Sequence, residues 1–267
     1  MAELDYPEYS VYGFDDKMKP YSYPCLVAAR RGEPKSVMQF GLSVAVRQSP
    51  DGRLSQEIND GLDGASLDGA SSGLAVLIGM LFKSSHSDYL LLYDVPRSRI
   101  GAISHRSTTK SYWADAVYVG FPFIAAYGAV YRNESLLLEA YNNCRLCRDA
   151  LQNKTTGLWA HIYNDDAGTF DDAGQWATGN AWAAKGMLNV ATMIEKGKLG
   201  NITAQVQDLK LWVGEVLNGT FSRLDKDNLV PNHMERTGNG TFGDAAASSM
   251  LAATAFRAAT QWPTQFT

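Results

Sequence analysis

Asp115-Ala-Val-Tyr-Val-Gly-Phe-Pro-Phe-Ile-Ala-Ala-Tyr-Gly128 decides the fold. It opens on a residue that caps helix starts, then stays apolar on nearly every face and rich in Gly and Ala. Such a helix is packed on all sides, with small residues permitting close approach. Three other stretches share this character: Asp68-Gly-Ala-Ser-Ser-Gly-Leu-Ala-Val-Leu-Ile-Gly-Met-Leu-Phe82, Asn180-Ala-Trp-Ala-Ala-Lys-Gly-Met-Leu-Asn-Val-Ala-Thr-Met-Ile194 and Asp244-Ala-Ala-Ala-Ser-Ser-Met-Leu-Ala-Ala-Thr-Ala-Phe256. Each begins on Asp or Asn, and the starts recur at similar intervals.

More polar, one-sided helices lie between them. Glu134–Leu151 places Leu136, Leu137, Ala140, Tyr141 and Leu146 on one stripe, and Thr203–Leu217 does the same with Val206, Leu209, Val213 and Val216. Strictly alternating β patterns are almost absent. Buried helices alternating with half-exposed ones predict an all-α toroid of helical hairpins, an inner ring within an outer ring. The competing expectation is an irregular all-α domain. In a toroid, Asp68, Asp115, Asn180 and Asp244 gather at one end of the inner ring, together with the loops that precede them.

Length and composition narrow the function. The 267 residues form one domain, 1–267, with no linker, charge run or low-complexity stretch to divide it. A net charge of -4 argues against nucleic acid and against a polybasic membrane contact. No apolar run approaches the ~18 residues of a membrane span. Compartment signals conflict: Met-Ala-Glu-Leu-Asp-Tyr is not a secretory leader, yet Asn133, Asn153, Asn201, Asn218 and Asn239 each open an N-x-Ser/Thr sequon. The sequons favour an extracellular protein. Cys144 and Cys147 read as packing thiols one helical turn apart, with Cys25 left over, and no metal or cofactor is expected.

Four of the six tryptophans fall in three strings that also hold an aspartate and a histidine. These are Ser-Tyr-Trp113-Ala-Asp115-Ala, Gly-Leu-Trp159-Ala-His161-Ile and Gln-Trp176-Ala-Thr-Gly-Asn-Ala-Trp182-Ala. Indole faces interleaved with single ionisable groups suit a pyranose, whose C–H face stacks while its hydroxyls and carboxylate take hydrogen bonds. Plain core packing is the bland alternative. Asp115 is the first catalytic candidate. A weakly solvated carboxyl beside Trp113 suits a general acid, whereas a helix cap would favour the charged form. Asp68 is the second, from a loop crowded by Asp60 and Asp63 whose spacing does not make a calcium site. His161 and the pair His105-Arg106 are candidate donors to substrate oxygens. Nothing supports an esterase, an NTPase or a dinucleotide enzyme.

Trp113-Ala-Asp115-Ala-Val-Tyr-Val-Gly-Phe-Pro-Phe, Leu158-Trp-Ala-His161 and Trp176-Ala-Thr-Gly-Asn180-Ala-Trp182, in this order, resemble the six-hairpin glycosidases. Pro96-Arg97, Gly101-Ala-Ile-Ser-His105-Arg106 and Phe242-Gly-Asp244-Ala-Ala are similar to the fungal branch of glycoside hydrolase family 105, the unsaturated rhamnogalacturonyl hydrolases. The resemblance covers roughly residues 60–258. It implies an (α/α)6 barrel and an oligosaccharide substrate ending in a 4,5-unsaturated uronic acid. It also implies hydration of that vinyl ether: an aspartic acid protonates C4, water adds at C5, and the hemiketal opens to release the neighbouring sugar. By motif Asp115 matches the acid and Asp68 the second important aspartate. His161, Trp176 and Trp182 match substrate contacts, and Trp113 is a further stacking candidate from its place beside Asp115. Thr178 stands where bacterial members carry an arginine, so the substrate carboxylate needs another anchor, for which Arg106 is the candidate. The chain is short for the family, which predicts a ring incomplete at its termini. The alternatives are therefore an inactive homologue that at most binds saccharide, and a helical-repeat interaction protein. A monomer is expected.

Overall fold

The computed structural model describes residues 35–46, 54, 64–81, 95–236 and 238–266; Cys25, Asp60 and Asp63 lie outside them. The described chain runs α1 (Lys35–Val46), a 3-10 turn (Asp68–Ser72), α2 (Gly73–Leu81), β1 (Ser111–Trp113), a one-turn α3 (Ala116–Val119) and α4 (Phe121–Val130). It continues with α5 (Glu134–Leu151), β2 (Ile162–Asn164), β3 (Thr169–Asp172), α6 (Ala177–Gly197), α7 (Thr203–Phe221), a 3-10 turn (Gly238–Gly240) and α8 (Ala245–Gln261). Helices α2, α4, α6 and α8 form the inner row, each packed on the next. Around them α1 covers α2, α5 covers α4 and α6, and α7 covers α6. This is the expected alternation of a helical toroid.

The amphipathic pattern explains which helices lie outside. On α5 the buried side chains are Leu136, Leu137, Ala140, Tyr141, Cys144, Cys147 and Leu151, which recur at helical spacing. Asn133 caps its start by accepting the Leu136 N–H. The thiols of Cys144 and Cys147 pack in the core, where burial drives both upward, Cys147 to about 12. Helix α7 runs one turn beyond the expected Leu217 and buries Val206, Leu209, Val213 and Val216. Helix α6 is buried nearly all round, and its Gly186 crosses the backbone of Val117 so closely that a Cβ would collide with that carbonyl oxygen.

Four expectations need correcting. The stretch 115–128 is not one helix: it breaks at Gly120 into α3 and α4, because Pro122 offers no N–H to the preceding turn. Asn180 does not start a helix. It sits inside α6, where its Oδ1 accepts the Trp159 N–H at 2.8 Å and its Nδ2 donates to the carbonyls of Trp159 and Trp176 at 3.0 and 2.9 Å. Strands are present too, as a small antiparallel sheet ordered β1-β2-β3. Finally, α8 is not packed on all sides. Asp244 caps it as expected by accepting the Ala247 N–H, but Phe256 is 72% exposed.

No described helix is long and apolar enough to cross a membrane. Asn180 supplies the sharpest stability test, since it answers three backbone groups in the interior. Asn180→Ala leaves the Trp159 N–H unpaired and should cost about 1–3 kcal/mol, read as a lower midpoint in urea with an unchanged slope.

Candidate active site

The small sheet places the site. β1 pairs with β2 so that Trp113 lies opposite Ile162, and β2 pairs with β3 so that Asp172 also lies opposite Ile162. The ladder continues one step past β1, where the Ala114 N–H donates to the His161 carbonyl at 3.0 Å. Asp115 follows directly, so the strand register itself brings it alongside His161. A bulge between Ile162 and Tyr163 shifts the register on the β3 side.

Asp115 occupies the N-cap position of α3, yet its side chain makes no capping bond. The carboxyl is 12% exposed and turns toward His161, with Oδ2 3.2 Å from Nε2. The two atoms are off the line of a hydrogen bond, which leaves both of them buried without a partner. On its other side His161 Nδ1 lies 2.9 Å from Asp172 Oδ2, and Asp172 Oδ1 accepts the Gly174 N–H at 2.8 Å. A neutral imidazole has one N–H and here faces two carboxylates. Burial opposes its charge, but Asp115 and Asp172 together outweigh that, and the pKa of His161 is raised. Burial of Asp172 acts to raise its own pKa, yet the bond to His161, the Gly174 N–H and the nearby His233 bring it below the usual value.

His105 behaves in the opposite sense. Burial lowers its pKa, and Asp68 and Asp115 only partly offset this. Its Nε2 lies 3.4 Å from Asp68 Oδ1, on a carboxylate that is 55% exposed. The His105 ring stacks on Trp113 with centroids 4.7 Å apart, and the Arg106 guanidinium lies over the same indole, also at 4.7 Å. From Trp113 the rings continue to His161 at 5.5 Å, to Trp176 at 4.7 Å and to Trp182 at 5.5 Å. A ribbon of five rings thus runs from His105 to Trp182, with Asp115 set against its middle.

The candidates from sequence therefore converge, with one difference in role. Thr178 Oγ1 donates to Asp244 Oδ2 at 3.1 Å, so this position presents a hydroxyl tied to a carboxylate. Trp159, in contrast, is wholly buried and belongs to the core. Sequence reasoning missed Asp172, Asn232, His233 and Glu235. Asn232 Oδ1 accepts the Trp176 indole N–H at 3.1 Å, His233 bridges to Trp176 through the backbone, and Glu235 Oε2 accepts the Gln175 N–H at 2.9 Å. One signal was available: the chain holds four histidines, and three of them meet here. Among the described residues, no group of three or more His, Cys, Asp or Glu side chains is placed to hold a metal ion.

The mouth of the helical toroid thus holds an Asp–His pair set between tryptophans. Residues 85–216 match Glycosyl Hydrolase Family 88. The unsaturated rhamnogalacturonyl hydrolase YesR of Bacillus subtilis is 26% identical over 156 residues, covering 52% of this chain and 45% of that protein. The chain thus spans about half the length of this curated relative. A family 105 glycoside hydrolase from C. acetobutylicum shares the fold with a TM-score of 0.65 at 18% identity, over 87% of this chain and 67% of the other. A possible family 105 member from Klebsiella pneumoniae gives 0.63 at 18%, over 84% and 63%. The chain is thus similar to family 88 glycoside hydrolases in sequence over residues 85–216, and to family 105 structures in fold over most of its length.

The raised pKa of His161 and the lowered pKa of Asp172 set a pH window for stability. The His161 contribution is complete below its ordinary 6.5 and is lost as pH rises through the folded value. The Asp172 contribution is complete above 3.8 and is lost as pH falls through its folded value. The difference in thermal midpoint between the natural protein and His161→Gln should therefore be widest between those limits and shrink on both sides.

Proposed function

We propose that this chain is a glycoside hydrolase acting on oligosaccharides that end in a 4,5-unsaturated uronic acid, with rhamnogalacturonan fragments as the favoured source. The observation that carries the reading is Asp115: a carboxyl of low exposure, free of any capping bond, facing a histidine in an aromatic mouth. Its neighbourhood suits proton donation to C4 of the vinyl ether, after which the carboxylate is placed to take a proton from water adding at C5. Both transfers use one group, so the cycle closes without net gain or loss of a proton. Trp113, Trp176 and Trp182 offer faces for the sugar rings, and Asp68 with His105 offers polar partners to its hydroxyls.

The substrate carboxylate is best anchored on the Trp113 side of the mouth. Thr178 is tied to Asp244, whose negative charge disfavours an anion there. Arg106, held over Trp113, supplies a cation. An extracellular setting fits the surface positions of Asn133, Asn153, Asn201, Asn218 and Asn239, all of which are exposed. Assignment to the fungal branch rests on the motif resemblance. A second reading is a saccharide binder without turnover, for which the same tryptophan faces would serve.

Loss of the ultraviolet absorbance of the conjugated C4=C5 bond separates the readings. An enzyme removes it, and a binder shows affinity with the absorbance intact. In the first case Asp115→Asn should lower the turnover rate about 10²–10⁴-fold with little change in substrate affinity. Arg106→Gln should instead raise KM roughly tenfold or more, as expected for losing a charged hydrogen bond, whereas Thr178→Val leaves KM within about twofold.

A further inference from the structure

We propose that Asp172 is a positioning residue of the acid centre: it holds His161 through Nδ1 and keeps Nε2 within 3.2 Å of Asp115 Oδ2, so that a small turn of either side chain lets the pair hand one proton between them. The role of the pair in turnover rests on the function proposed above; the linkage between Asp172 and His161 does not.

The geometry assigns this role in three ways. First, Asp172 is itself fixed. Its Oδ1 is occupied by the Gly174 N–H at 2.8 Å, and a Cβ at Gly174 would stand 2.9 Å from that oxygen, so a larger residue there would displace the carboxylate. The free Oδ2 then has a single direction, toward His161 Nδ1 at 2.9 Å. Second, the sheet register makes the arrangement rigid, since Asp172 faces Ile162, the neighbour of His161, across β2 and β3. Third, with Nδ1 committed to Asp172, the only ring nitrogen left for the acid is Nε2. That nitrogen and Asp115 Oδ2 are both buried and lack any other partner.

The electrostatic surroundings can be enumerated. Asp115 meets His161 from the start of α3 and Asp172 from the end of β3. The uncharged rings of Trp113 and Trp176 close its flanks. His105 senses both Asp115 and His161 across the Trp113 indole, and His233 acts on Asp172 from the loop before α8. Two carboxylates therefore bracket one imidazole. The charge of Asp172 favours a proton on the imidazole, which is the direction in which His161 is shifted. During turnover the proton passes from this pair through Asp115 to C4 and returns from the added water, so no further donor is needed.

The test reads His161 directly. In Asp172→Asn the amide oxygen keeps the Gly174 N–H, and the amide N–H turns to His161 Nδ1, which must then accept. The neutral ring is thereby forced to carry its proton on Nε2. Nitrogen-15 NMR of the imidazole should show that tautomer in place of Nδ1–H, together with a proton affinity lower by about tenfold or more. On unsaturated oligosaccharide, the alkaline limb of the kcat profile should move to lower pH. The kcat at neutrality should fall while KM stays within about twofold, and Asp172→Glu should restore part of both. A brace of the hairpin alone would lower thermal stability and leave the tautomer, the titration and the pH profile where they were, and that result overturns the proposal. If the natural protein consumes no unsaturated uronide, the reading of function fails, and the nitrogen titration alone then decides whether Asp172 governs His161.

Discussion

One buried amide holds the mouth together. Asn180, almost wholly inaccessible, answers both backbone groups of Trp159 and the carbonyl of Trp176. Those bonds pin the strand that leads to His161 and the turn that starts α6 to a single point on the inner row. The strand in turn fixes Ala114, and with it Asp115, through the ladder bond to His161. Side chains that the sequence scatters from Asp68 to Asp244 share a site because the starts of neighbouring inner helices are cross-tied. The aromatic ribbon then fills the space between these fixed points.

Charge is distributed around Trp113 in a way that divides labour between two histidines. His161 has carboxylates on both sides and is biased toward the cation, whereas His105 is buried more deeply and biased toward the neutral form. The indole keeps the two rings apart while touching both. One mouth therefore holds a histidine biased toward the cation beside Asp115 and one biased toward the neutral ring beside the exposed Asp68. The same residue type is shifted in opposite directions within one cleft because partner count and burial differ, not because the chemistry of imidazole does.

Much of this was legible in the sequence, and the reason is periodicity. Helices such as 134–151 declare themselves through their apolar stripe, and the structure adds the Asn133 cap. The inner helices declare themselves because few soluble helices are apolar on every face. Asp115 could be singled out since an acidic group among tryptophans is costly without a purpose. Asp172 could not. It lies at the end of a four-residue strand, in an Asp-Asp-Ala-Gly run that reads as a turn, and only the register with Ile162 gives it meaning. Strands of three or four residues carry too few alternations to show a period. Asn180 misled for a related reason: an amide near a helix start suggests a cap, while tertiary contacts gave it a different task. Pro122 did carry a local signal, and the break at Gly120 follows from it.

The paired thiols of α5 have a practical consequence. Cys144 and Cys147 are fully buried and held protonated by their apolar surroundings, so neither presents a thiolate to a reagent while α5 stays seated on α4 and α6. Alkylation at these two positions must await an opening of the outer helix. Its rate is then a built-in stopwatch for the breathing of the scaffold, timing how often the wall behind the mouth comes loose without any label being added to the mouth itself.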